Sequence, residues 1–103
     1  MKVSVTQHAR IRIRERWGIS RRSVVDKLVN KAYNRGIKHC ETTGSLKHFL
    51  SRLYFHSKKA NNMRIYQGRI FIFFDAKLLT VYNLPERYMD LYGELEKSLK
   101  VIS

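Results

Sequence analysis

Met63–Asn83 reads MRIYQGRIFIFFDAKLLTVYN, and this stretch decides the fold. Three runs rich in Ile, Phe, Tyr, Val and Thr, at Met63–Tyr66, Arg69–Phe74 and Leu78–Asn83, are split by Gln67-Gly68 and Asp75-Ala76-Lys77. β-branched and aromatic residues suit a pleated surface, and short polar breaks between such runs mark hairpins. The spacing predicts an antiparallel meander of three strands. Side chains alternate along a strand, so Phe71 and Phe73 point one way and Ile72 and Phe74 the other. Because both faces of this strand are apolar, one face of the sheet must be covered by helices. In the last run Leu79 and Val81 are expected on one face, and Leu78, Thr80 and Tyr82 on the other.

Working outward, Pro85 ends the sheet and opens a terminal helix over Glu86–Lys100, with Met89, Tyr92, Leu95 and Leu99 on one stripe. On the other side Ser57–Asn62 reads as a polar, basic loop. It follows a helix over Leu46–His56 that Ser45 can cap. Ile37–Gly44 reads as a loop. The clearest helix lies before it: Val24, Val25, Leu28, Val29, Ala32 and Tyr33 recur at helical spacing, with Ser20 as cap and Gly36 as stop. Trp17, Leu28, Val29, Phe71 and Phe73 are the expected core. Met1–Val5 is a short lead or an edge strand. The fold class is α+β, with N-terminal helices packed on a C-terminal antiparallel β-meander plus a C-terminal helix, in a single domain over 1–103.

Thr6–Trp17 is the chemically dense element, with one histidine, one glutamate and four arginines. Its arginines at 10, 12, 14 and 16 alternate with apolar residues in a strand-like period. Glu15 breaks that period, Thr6 can cap a helix, and Gly18 can end one in the left-handed conformation, so helix is the favoured reading. On a helix, His8, Arg12, Glu15 and Arg16 share one sector, while Ala9, Ile13 and Trp17 form a neighbouring stripe. Arg10 and Arg14 fall on the far side.

The chain carries a formal charge of +13 over 103 residues. Residues 1–60 hold 15 Lys and Arg against three acids, and residues 61–103 hold six against five. Such a lopsided basic charge points to a polyanion partner, most often nucleic acid. The lone cysteine, Cys40, excludes an intrachain disulfide and fits a reducing setting. There is no signal-like leader, and the longest apolar run, Ile70–Phe74, is far too short for a membrane span. The expected setting is cytoplasmic, with no membrane partner.

Phosphodiester chemistry without a metal needs a proton carrier near neutral pH and cations to hold charge on phosphorus. His8 supplies the first, and Arg12 and Arg16 the second. Thr80 and Tyr82 lie on one face of the last strand, with Arg64, Tyr66 and Arg69 on its neighbours. A hydroxyl there can hold a phosphate, and a tyrosine can stack on a base. Catalytic candidates are therefore His8, Arg12, Thr80 and Tyr82. Nucleic-acid-binding candidates are Arg12, Arg16, Arg21, Arg22, Lys58, Lys59, Arg64 and Arg69. The histidines and Cys40 lack zinc spacing, so no metal is expected, and no cofactor motif is present.

His8-Ala9-x-x-Arg12-x-x-x-Arg16 followed by Gly18-Ile19-Ser20 resembles the opening HAxxRxxxRxGIS of small phage and bacterial proteins of the DUF4258-like pattern. Ile65-Tyr66-x-Gly68-x-Ile70-Phe71-Ile72-Phe73 and Leu79-Thr80-Val81-Tyr82-Asn83-Leu84-Pro85 resemble that group's closing YxGxIYIF and LITVYxLP. The resemblance covers 8–20 and 63–85. It implies the RelE-like and barnase/colicin-type (BECR) ribonuclease fold, and a metal-independent toxin-type endoribonuclease of phage or prophage origin. In such enzymes the 2′-OH attacks the adjacent phosphate and leaves a cyclic phosphate. By position His8 would be the acid/base and Arg12 the phosphate ligand. Arg16 would support it, and Thr80 and Tyr82 would stand where the last strand contributes to the site. Three function classes follow: an RNA-directed ribonuclease, a non-catalytic nucleic-acid-binding regulatory or counter-defence protein, and an inhibitor that meets an acidic protein partner.

Overall fold

The two apolar faces of Arg69–Phe74 meet different pairs of helices. A computed structural model describes residues 3–56 and 59–102. In chain order these are β1 (Ser4–Val5), α1 (Gln7–Trp17), α2 (Arg22–Arg35), β2 (Ile37–Lys38), α3 (Gly44–His56), β3 (Asn62–Tyr66), β4 (Arg69–Phe74), β5 (Lys77–Asn83) and α4 (Met89–Ile102). Single 3₁₀ turns occupy His39–Glu41 and Glu86–Tyr88. The sheet order is β1-β5-β4-β3-β2. The β3–β4–β5 meander is antiparallel, β2 extends it antiparallel beside β3, and β1 runs parallel to β5. The architecture is α+β with a C-terminal helix.

On one face Ala9 and Ile13 of α1 and Val25, Val29 and Ala32 of α2 close over Phe71, Phe73, Leu78 and Val81. On the other, Leu46 and Leu50 of α3 and Tyr88 and Tyr92 close over Met63, Ile65, Ile70 and Ile72. Both faces of the sheet are therefore covered, where one was expected. Each fully buried large side chain contributes about 1.5–3 kcal/mol of transfer free energy. Phe74, at the strand's end, stays exposed.

Local signals explain most boundaries. The Thr6 side chain accepts from the Ala9 amide, and Gly18 closes α1 in the left-handed region at φ 68°. Gln67 and Gly68 both have positive φ, as a two-residue hairpin turn of the twisted kind demands. Asn61 and Asp75 clasp the other end of the meander through two hydrogen bonds, of 3.0 and 2.8 Å.

Several expectations are corrected. Arg21, not Ser20, precedes α2, and its side chain makes no capping bond. Ile37-Lys38 is not loop: it pairs with Ile65 and Arg64 as an edge strand too short to carry a periodic signal. α3 begins at Gly44, so Ser45 lies within it. The first turn after Pro85 is 3₁₀, ahead of α4. A bulge sets Ile72 opposite Thr80 but Phe73 opposite Leu78, leaving Leu79 as the extra residue. That shift puts Leu78 on the face of Val81, against the simple alternation. Trp17 and Leu28 pack at the rim of the core, half-buried rather than enclosed.

Gly36 ends α2 for a reason other than a left-handed turn, since its φ is −66°. A Cβ there would stand 2.5 Å from the Ala32 carbonyl oxygen and 2.9 Å from the Arg64 Cβ. Only glycine lets the end of α2 press onto β3. Gly36→Ala is expected to cost about 1–3 kcal/mol through overpacking, read as a lower midpoint in thermal or urea unfolding. An unchanged midpoint would show that α2 can lift off β3 at no cost.

Candidate nucleic-acid interface

α1 lies alongside β5 and runs in the same direction. At its start the Thr6 hydroxyl donates to the Leu78 carbonyl (2.9 Å), and at its end the Trp17 indole N–H donates to the Asn83 side-chain oxygen. The eleven residues between span about 16 Å of helix, which matches about 16 Å for the five residues of strand. On this scale Arg16 falls level with Tyr82, where it is found, its guanidinium carbon 5.3 Å from the ring centroid. On the same scale His8 stands at the height of Leu79 and Arg12 at that of Val81. Thr80 and Tyr82, paired with Ile72 and Ile70, point to the sheet face opposite α1, so the expected meeting of His8 with Thr80 is not formed. The α1 sector bearing His8, Arg12 and Arg16 therefore looks out over the β5 edge. His8 and Arg16 are exposed, while Arg12, Thr80 and Tyr82 are half-buried. Arg12 leans on Glu15 at 3.4 Å.

Around the end of α1 a second group forms. Pairing places Tyr66, Arg69 and Asn83 side by side across β3, β4 and β5, on the face that carries α1 and α2. Arg64 shares that face two residues earlier on β3. Arg69 reaches Trp17, 4.7 Å from its ring centroid, and Arg64 reaches Tyr33 of α2, at 5.7 Å. Each ring rests in turn on a buried phenylalanine, Trp17 on Phe71 at 5.5 Å and Tyr33 on Phe73 at 5.2 Å. The core thus fixes the rings, and the rings hold the guanidiniums; each such contact is worth about 0.5–1 kcal/mol at a surface. Arg64 also donates to Asn62 (3.2 Å) and to the Gly36 carbonyl (3.3 Å).

Ion pairs do little to quench this charge. Among the described residues there are two: Arg10 with Asp26 at 2.7 Å and Arg12 with Glu15. Arg10, expected on the far side of α1, is there as a strut to α2. Arg16, Arg64 and Arg69 meet no carboxylate within salt-bridge distance among the described residues.

The remaining binding candidates lie elsewhere. Arg21 and Arg22 are exposed at the start of α2, and Arg22 lines a hollow with Ser4 and Asp26 beside β1. Ser4 pairs with Lys77 and Arg69 with Asn83. Six residues of β5, about 20 Å, separate the two groups. Lys59 is exposed in the turn before β3, at the clasp end of the sheet. Lys58 lies outside the described residues.

His39 stands apart, its Nε2 2.9 Å from the Ser51 hydroxyl. Burial, with Lys47 nearby, pushes its pKa down. Ser51 donates its proton to the Lys47 carbonyl at 2.8 Å, so it accepts from His39. That direction is opposite to the one a nucleophile and its base require. No group of three His, Cys, Asp or Glu among the described residues could hold a metal ion.

A scan against protein-family models, a search of curated proteins and a search of solved structures each find no match for this chain.

Sequence reasoning found the arginines but missed their seats. Trp17 is expected in the core and Tyr33 on the buried stripe of α2. Both are half-buried rims whose rings touch Phe inward and Arg outward. The available signal was their position, each within three residues of a helix-ending glycine, where a stripe leaves the sheet.

Proposed function

We propose that this protein binds nucleic acid, RNA in the first instance, along the α1/β5 flank and across the arginine–aromatic group at the end of α1. One observation carries the reading: Arg16, Arg64 and Arg69 rest on Tyr82, Tyr33 and Trp17 and have no carboxylate partner among the described residues. A guanidinium seated on a ring loses less rotamer freedom on binding, and its fork matches phosphate oxygens. The surrounding positive charge would steer a polyanion toward the seats.

The direct test is affinity for a labelled RNA across a salt series. With five or six phosphate contacts the log–log slope should be about −3.5 to −4.2 for a single strand and about −4.5 to −5.4 for a DNA duplex. A slope near zero would remove the proposal.

A second reading, metal-independent cleavage, is supported by the α1 sector that sets His8 one turn from Arg12 and two turns from Arg16, whose guanidinium rests on Tyr82. It is tested by incubating the protein with single-stranded and structured RNA in EDTA and looking for cyclic-phosphate ends.

A further inference from the structure

The arginine–aromatic group contains one ring that no guanidinium covers. Tyr66 is half-buried, and no aromatic or cation contact engages its ring among the described residues. Its backbone places it directly opposite Arg69, with side chains about 5 Å apart at Cβ. Arg64 precedes it by two residues on the same face, about 7 Å along the strand. The two arginines are drawn to opposite sides, Arg69 to Trp17 on α1 and Arg64 to Tyr33 on α2. Tyr66 is thus left between them, and it lines an open groove of about 790 Å³ with Arg35, Arg64 and Gln67, whose far wall carries the carboxylates of Glu41 and Glu96.

We infer that Tyr66 is a stacking platform for one unpaired base, with the flanking phosphates held by Arg64 and Arg69. The ligand is single-stranded nucleic acid, and this inference rests on the nucleic-acid reading above. A paired base would have to break its pair and leave its stack, at about a few kcal/mol, to lie on Tyr66, so duplex gains little from the ring. The site reads a π-face, which every base has, and two phosphates. The one amide in the row, Asn83, has its oxygen committed to Trp17. Binding through the ring should therefore tolerate sequence, and the ring should stack on RNA and DNA bases alike.

The experiment uses a short oligonucleotide carrying 2-aminopurine, as RNA and as DNA, with a duplex of the same length as control. On the wild-type protein, stacking on Tyr66 should quench the single-stranded probe at saturation. Tyr66→Ala should abolish the quench and weaken single-strand binding by about 5- to 150-fold, with duplex binding unchanged. Tyr66→Phe keeps the ring and should behave as wild type. The inference is overturned if the wild type binds without quenching, or if Tyr66→Ala weakens single strand and duplex equally. Either result leaves the broader reading standing. No binding to any of the three probes overturns both.

Discussion

Phe73→Ala should lower unfolding stability by about 3–5 kcal/mol, roughly a fifth or more of what a domain of this size usually holds. Phe73 is fully buried and stands at the centre of the α1/α2 face. Its ring meets Tyr33 edge-on, and Tyr33 in turn carries Arg64. Removing it opens a cavity that the two-sided packing of β4 cannot collapse into, because Ile72 is fully buried against α3 and α4 on the opposite face. At about 4–8 °C per kcal/mol, the melting point should fall by roughly 12–40 °C. Leu28→Ala is the comparison. Helical periodicity places Leu28 in the core, but it sits half-buried at the rim, and its loss should cost clearly less than that of Phe73. A chevron or urea series on both variants measures the difference. Equal losses would mean that the α1/α2 face is not packed as described.

Leu28 shows what patterning can and cannot deliver. Periodicity identifies the stripe of α2, and Val25, Val29 and Ala32 are indeed enclosed. It does not say how far the stripe extends beyond the sheet. The same limit applies to the strands. Composition picks out β3, β4 and β5 within one residue at their starts, because three consecutive strands pair locally. β1 and β2 have two residues each and are defined by partners far along the chain, Lys77 and Ile65 among them. The bulge at Leu79 is equally silent, since an extra residue in a strand of Leu, Leu and Thr changes no local preference.

The candidate site divides along similar lines. The His8–Arg12–Arg16 sector follows from helix geometry alone, and the contact of Arg16 with Tyr82 fixes which way that sector faces. The seats for Arg64 and Arg69 depend on where the ends of α1 and α2 land on the sheet. No run of residues encodes that landing. Gly36 alone hints at it, as the residue that lets α2 touch β3.

His8→Ala separates the two functional readings with the largest effect. If the α1/β5 flank cleaves RNA, His8 is the group that moves the proton, and losing a positioned acid or base costs about 10²- to 10⁴-fold in rate. Binding should barely change, because the arginines beside it carry the phosphate contacts. Arg16→Ala should weaken binding and cleavage together, since its guanidinium would hold phosphate in the ground and transition states alike. Tyr82→Phe keeps the ring under Arg16 and removes only the hydroxyl, so a loss of rate in that variant would place the hydroxyl in the chemistry. Arg10→Ala is the control for charge. Arg10 is engaged by Asp26, so its removal should cost at most about 1 kcal/mol of stability and leave both activities near wild type. Cleavage that survives His8→Ala would sink the acid/base role. Equal losses from Arg10, Arg12, Arg14 and Arg16 would mean that α1 acts only as a strip of positive charge. A silent His8→Ala beside strong losses at Arg16 and Arg69 would leave the chain as a binder, whose affinity lies in the arginines that its rings hold in place.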